Sequence, residues 1–463
     1  MPVLSTRGAA SAYAYSFGLG ALGGINYYMG YATTGSSTAI SPTNGLSIGS
    51  GDNVYIGASF SGSGYYGVGA LKFSKDAVLL NKNYTSLITS GGFTNTIKNL
   101  SNGNVVIVAG SSAYNYPRLQ AQTSSLTDVY NNTYNQSIPN HNDRNEWNGV
   151  AVDTSDNIYT VACQTFSCCC SSYSRITFAK FNSSGVNTYW NYMSSVDPYV
   201  GVGNFAATAV DNSGNVYIGY VVPYTKFVIT KLNATTGAEI AKSSFTFNNY
   251  SDGYSAICDM KVDSAGNLIV VGMASSAGTP VGFILKYNWS TGNVWQKFLS
   301  GDGSANQYFN YWTAVTLDSS DNIYVCGRNL GYKQNSIAKY DSNGNLQWQR
   351  KIYWSAGGGT TRTFDLSGIG LDSQGALWVS GVLSLPSGQV DAFFMKVPNN
   401  GSKTGTYTIG GYTFVYDVNT GTSSSPTYTT QTPPTQGITN ATFTSGPTNT
   451  STASGASAVS ISL

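Results

Sequence analysis

The stretch AVTLDSSDNIYVCG, residues 314–327, is an apolar run closed by Asp318, a tight polar turn, and a β-branched and aromatic run that opens at Asn322. Two such runs joined by Asp, Ser and Asn have the sequence form of a β-hairpin. The chain repeats it. VAVDTSDNIYTVA carries Asp153 and Asn157, TAVDNSGNVYIG carries Asp211 and Asn215, and KVDSAGNLIVVG carries Asp263 and Asn267. GLDSQGALWVSG keeps Asp372 but has Ala376 in place of the Asn, and LSIGSGDNVYIG (Asn53) and IKNLSNGNVVIVAG (Asn104) are weaker copies.

The seven marker positions 53, 104, 157, 215, 267, 322 and 376 lie 51, 53, 58, 52, 55 and 54 residues apart. A period near fifty is the size of one blade of four antiparallel strands with its turns. The sixth unit reads through without a gap: AVTLD as strand A, NIYVCG as B, SIAKYD as C, the turn SNG, and NLQWQRKIY as D. The expected fold is therefore all-β, a seven-bladed β-propeller of four-stranded antiparallel blades, with an extended N-terminal arm and a Ser/Thr-rich C-terminal tail. A lysine flanked by apolar residues recurs in strand C as Lys72, Lys180, Lys231, Lys286, Lys339 and Lys396. Recurrence in six blades points to a structural role, because a catalytic site uses one copy.

The blade motif, D-x-x-G/D-N-[IVL]-Y-[IV]-x-G, resembles the repeat of seven-bladed β-propeller families. The chain around it resembles structural proteins of tailed phages from marine bacteria, on the opening MPVLSTRGAASA, on INYYMGYATTG before blade one, and on GTYTIGGYTF after blade seven. That resemblance implies a virion component, made in the host cytoplasm and released by lysis.

Composition agrees with an exposed β-protein. Charged residues are 10% of the 463 residues, far below the roughly 25% of an average soluble protein. The net charge of +2 gives no field that would draw nucleic acid or an anionic membrane. No run approaches the roughly 18 apolar residues of a membrane span. Residues 1 to 22 hold one basic residue, Arg7, and no leucine-rich segment, so they make a poor secretory signal.

The chain divides into an arm, residues 1–22, read as the virion attachment; a propeller, 23–417, whose last blade is closed by a strand at residues 25–33; and an uncharged tail, 418–463, read as a flexible extension or the rival tether. Ile25 to Thr33 is taken as the closing strand because an open ring leaves an unpaired edge. In a meander the A–B and C–D turns share one face of the ring, and the B–C and D–A connections share the other. The first set is short and stereotyped and the second is long and irregular, so binding is expected on the second.

Catalytic chemistry is sparse. His141, the only histidine, lies in the long linker to blade three and is read as a solvated loop residue, so a Ser/His/Asp triad and a multi-histidine metal site are nearly excluded. Glu146 and Glu239 are the only glutamates; Asp143 and Glu146 flank Arg144 in NDRNEW, read as a charge-balanced surface loop. The repeated Asp offers one carboxylate per hairpin, which suits turn chemistry better than calcium. Cys163, Cys258 and Cys326 fall in predicted strands as small core residues, and Cys168, Cys169 and Cys170 in a loop are read as reduced surface thiols. No catalytic residue, metal or cofactor is expected.

What remains is aromatic. Tyr199, Tyr254, Tyr308, Tyr311, Trp312 and Trp354 fall on the irregular face and are the expected ligand-binding residues. Tyr and Trp offer a flat apolar face with a polar tip. The expected function is a tail-fibre or receptor-binding appendage that presents this face to a host-surface glycan or protein, with other virion proteins held through the arm, a homo-oligomer allowed, and no nucleic acid or membrane insertion. A head or neck decoration protein and a propeller enzyme acting on polysaccharide are the alternatives.

Overall fold

The computed structural model describes residues 12–16, 27–32, 38–39, 45–62, 65–87, 95–110, 118–133, 144–168, 171–193, 206–222, 226–247, 255–276, 279–299, 311–328, 334–354, 364–384, 390–409, 412–419, 423–425, 428–431 and 438–440. Apart from one 3-10 turn at Ser50–Asp52, the regular structure among them is entirely strand. Seven antiparallel sheets follow one another along the chain. Blade six, for instance, runs through Tyr311–Leu317, Ile323–Arg328, Gln334–Tyr340 and Leu346–Trp354. Each first strand neighbours the first strands of the blades on either side, and Phe364–Leu371 of blade seven neighbours Leu46–Ile48 of blade one. The ring is closed.

The apolar core is distributed between the sheets. Each of the seven junctions holds its own buried cluster, for example Val106, Val108 and Leu119 of blade two against Ile158 and Phe181 of blade three. At the seam, Leu71 and Phe73 of blade one meet Trp378 and Phe394 of blade seven, with the Phe73 and Phe394 ring centroids 4.5 Å apart. Blade strands bury both faces, so they read as near-continuous apolar runs such as NIYVCG, and their alternation is weak.

Blade seven is completed from the other end of the chain. Its own strands are Phe364–Leu371, Leu377–Ser384 and Val390–Val397, and Tyr28–Ala32 supplies the fourth, paired Tyr28 to Lys396 through Ala32 to Ala392. The arm goes further than the sequence suggested. Ala12–Ser16 pairs with Tyr28–Ala32 and adds a fifth strand to that blade, so this part of residues 1–22 belongs to the sheet. The tail differs as well. The hairpin Gly405–Ile409 and Tyr412–Val418 adds to blade six, and short strands of the uncharged tail then add to the outer edges of blade five (Ser423–Ser424), blade four (Tyr428–Gln431) and blade three (Ile438–Asn440). The tail, read from sequence as a flexible extension or one ordered only by partners, is in these segments an outer belt on the ring itself.

Candidate functional site

The repeated polar residues serve the scaffold. In blade six, Asp318 Oδ1 accepts the Ser320 and Asn322 amides at 3.0 and 2.9 Å, and Oδ2 accepts Asn322 Nδ2 at 2.9 Å and the Tyr324 hydroxyl at 3.0 Å. Asp153 and Asp211 repeat all four bonds. The motif is thus one carboxylate satisfied by the residues two, four and six places on. The position before the Asn has positive φ, held by Gly214, Gly266 and Gly375 or by Asp156 and Asp321. Where it is Asp, the side chain reaches the preceding blade: Asp156 accepts Ser101 N and Oγ, Asp321 accepts Ser264 N and Oγ, and Asp52 accepts Ser373 N and Oγ across the seam. That is the physical content of the G/D ambiguity in the motif.

The recurring lysine sits at a β-bulge in strand C, between Lys339 and Tyr340 in blade six and at the matching place in four other blades. Lys72, Lys180, Lys286 and Lys396 donate to carbonyls in the C–D turn of the next blade, those of Ser124, Ala234, Ser342 and Lys75. Five of the six lie over the strand-B aromatic, as Lys339 does over Tyr324 at 5.0 Å. Blade five has Ile269 in place of that aromatic, and there Lys286 pairs with Asp263 directly at 2.8 Å.

These turns predict the acid limb of stability. Desolvation pushes the carboxyls of Asp153, Asp211, Asp263 and Asp318 up, but the hydrogen bonds they accept outweigh it and hold them below the usual carboxylate range. A depressed folded-state value contributes stability that is complete above the unfolded value, about 3.9, and is lost as pH falls through the folded value. The denaturation midpoint is expected to be level from about pH 7 to 5 and to fall below about pH 4. Asn at positions 153, 211 and 318 together should flatten that limb; an equally steep limb in the triple variant would assign it to other groups.

The opposite face carries the expected binding residues. Most of its B–C and D–A connections, with Tyr199, Tyr254, Tyr308, His141 and Asp143, lie outside the described residues. Tyr311 and Trp354 fall at the ends of blade six strands that border this face, Tyr311 paired with Arg328 and Trp354 with Phe414. Trp312 is a correction. It is fully buried, in the cluster between blades five and six with Ile284, Leu299 and Val315. A bulge between Trp312 and Ala314 is the reason. It shifts the alternation so that Trp312 shares a face with Val315, whereas a regular strand would put it with Ala314. Trp312 therefore cannot meet a ligand.

Two further expectations change. Arg144–Val152 is the first strand of blade three, so Glu146 is in the sheet, paired with Cys163, and does not lie in a loop. Cys168 is in a strand and not in a loop: Ile158–Cys168 and Ser171–Phe181 pair as far as Cys168 and Ser171, and Cys169 and Cys170 lie outside the described residues. Cys258 and Cys326 are buried free thiols; burial pushes Cys326 up to about 12.

The innermost strands also carry charges that do not belong to the repeat. Lys98 lies on the first strand of blade two, Asn95–Asn99, and Asp259 and Lys261 lie on that of blade five, Ala256–Val262. Asp259 is the carboxylate paired with Lys261. It is buried, accepts Lys261 Nζ at 3.1 Å and the Met260 amide at 2.9 Å, and takes the Val315 amide of blade six at 3.0 Å. Desolvation first, and the Lys261 charge second, bring Lys98 down to about 7 against the pull of Asp259. The sequence signal was present in IKNL and CDMKVD, first strands with charges where VAVD and TAVD have apolar residues. Among the described residues no group of three His, Cys, Asp or Glu gathers to hold a metal.

No protein-family model matches the chain, and no curated protein matches it. Solved structures similar to it include a polysaccharide lyase, at 10% identity over 78% of this chain and 91% of that one, with a TM-score of 0.45. A quinonprotein alcohol dehydrogenase-like protein from Bacteroides thetaiotaomicron is similar at 10% identity over 73% and 81%, TM-score 0.37. Prolyl oligopeptidase B from Galerina marginata is similar at 8% identity over 78% and 53%, TM-score 0.38. Likenesses of this size carry neither activity nor substrate across.

Proposed function

We propose that this propeller is a binding protein and not an enzyme, a phage virion appendage of the tail-fibre or receptor-binding kind that presents its B–C/D–A face to a host-surface glycan or protein. The observation that carries the reading is the division of labour between the two faces. On the A–B/C–D face the carboxylates and lysines of the repeat bond to their own turns and to the next blade. Aromatic and amide-rich segments that the repeat does not need are concentrated on the other face. A rigid ring with irregular loops on one side is a scaffold for recognition. The virion assignment is supported by the resemblance of MPVLSTRGAASA and GTYTIGGYTF to phage structural proteins.

Adsorption of the purified protein to host cells tests it. Ala at Tyr254 and Tyr308 together is expected to weaken adsorption by roughly tenfold or more, the scale of interface aromatics, and to leave the thermal midpoint within about 2 °C. A wild-type protein that adsorbs to no host cell, yet decorates particles, would establish the decoration reading instead.

A further inference from the structure

Blade two departs from the repeat where the other blades agree. Its third strand, Arg118–Gln122, has the bulge of five other third strands, between Ala121 and Gln122. Ala121 therefore stands where the recurring lysine would be. In the other six blades the residues that flank this lysine are apolar or aromatic, such as Leu71 and Phe73 or Ala338 and Tyr340, with Thr230 the one exception. In blade two they are Gln120 and Gln122, and both are fully buried. They lie opposite Ile107 and Val105, which pack against Tyr55, Val68 and Ala70 of blade one. Two buried amides thus stand in the junction between blades one and two.

The hydrogen bonds fix which way these amides point. Gln120 Nε2 and Gln122 Nε2 both donate to Asp128 Oδ1 at 2.8 Å. An ionised carboxylate only accepts, so the Gln122 oxygen faces away from it. From blade one, Lys72, Asn81 and Asn83 donate to the carbonyls of Ser124, Ser125 and Leu126, in the turn between Gln122 and Asp128. A carbonyl also only accepts, so the Asn83 nitrogen is engaged there and its oxygen is turned elsewhere. Gln122 Oε1 and Asn83 Oδ1, on residues 0% and 6% exposed, have no hydrogen-bond partner among the described residues. Asn131 Oδ1, on the residue opposite Gln120, is in the same condition. Buried acceptors left unmet are costly, and each calls for a water or an ion.

We propose that these amide oxygens, with the Asp128 carboxylate at the outer end, form a site for one alkali-metal cation between blades one and two. Neutral carbonyl-type oxygens replace the hydration shell of such an ion. Asp128 is exposed and gives a way in from the outer edge. A single carboxylate is short of what calcium takes from a protein. Arg118, on the same face as Gln120, is near enough to feel the Asp128 charge, so that charge is already partly met. Both points favour a monovalent ion. Held there, the ion ties Gln122 of one blade to Asn83 of the other, where the remaining junctions rely on apolar contact.

Thermal midpoints of the full chain in sodium, potassium and choline chloride at one ionic strength test the proposal. Sodium or potassium is expected to raise the midpoint over choline by about 3 °C or more, and the rise should grow with the logarithm of its concentration. Q120L/Q122F, which copies the pair of blade one, should abolish the difference. N83D adds a charge to the site and should enlarge it; this variant decides the matter if the first fails to fold. Crystals grown with thallium(I) acetate should show an anomalous peak between Gln122 and Asn83. Equal midpoints in the three salts overturn the proposal, as does a water in the place of thallium. So does an alkali-ion effect that Q120L/Q122F leaves intact, because the ion then binds elsewhere.

Discussion

A chain that begins at residue 34 is expected to lose its cooperative thermal transition, with stability reduced by roughly 5 kcal/mol or more, a large part of what a single domain has. Tyr28–Ala32 is the fourth strand of blade seven, and without it Val390–Val397 is an open edge in the middle of the seam. The deletion also removes Met29, fully buried among Phe393, Met395 and Phe414, and Tyr27 from the same cluster. Loss of one buried methionine side chain alone costs about 2–5 kcal/mol. A chain that begins at residue 18 keeps this strand and loses only the fifth, Ala12–Ser16, so its midpoint should fall by much less. A peptide of residues 24–34 added to the shorter chain should restore the transition. If the chain from residue 34 melts as sharply and at the same temperature as the full protein, the ring is closed by other contacts.

The fold was legible where its determinants are local. Every partner of Asp318 lies within six residues of it, so the hairpin repeats as a visible motif and its period counts the blades. The closing strand was legible for a topological reason: a ring needs a partner for its last edge, and INYYMGYA was the unassigned strand-like segment. What sequence reading missed depends on partners far along the chain. Asp156 and Asp321 hold positions that elsewhere hold glycine, and their bonds to Ser101 and Ser264 cross a blade junction. Beyond Tyr412–Val418, which buries Phe414 and Tyr416, the belt was missed because its strands are too short to show a pattern. Segments as short as Ser423–Ser424 therefore leave no alternation to read.

The candidate site was legible as a face but not residue by residue. Loop length and composition sort the two sides of the ring before any coordinate is known. Whether an aromatic at the end of a strand points outward depends on a single inserted residue, and the bulge at Thr313 turned Trp312 inward. The same bulge follows Ile257 in blade five and Leu366 in blade seven, so it is a feature of the first strand that no residue type announces. The effect of the Lys261 charge on Lys98 was not legible, because the two residues belong to different repeats.

The second large effect is expected at the seam. Asp372 and Lys396 form an ion pair at 2.8 Å with side chains 0% and 2% exposed. Lys396 Nζ also donates to the Lys75 carbonyl of blade one at 3.1 Å and lies 5.4 Å from the Trp378 ring centroid, while Asp372 Oδ2 accepts Trp378 Nε1 at 3.2 Å. Asp372→Ala leaves a buried cation without its counter-ion, which costs about 3–5 kcal/mol. It also frees the Gln374 and Ala376 amides that the carboxylate caps. Replacing both partners, D372N with K396M, removes the unpaired charge and should recover most of that loss. Lys75 and Asp76 serve as the internal control, a pair at 2.9 Å with both side chains about half exposed; D76A is expected to cost no more than about 1 kcal/mol. Denaturant midpoints of the single and double variants give the coupling directly. If D372A costs no more than D76A, the buried pair does not hold blades seven and one together, and the seam rests on the closing strand and the Phe73–Phe394 contact.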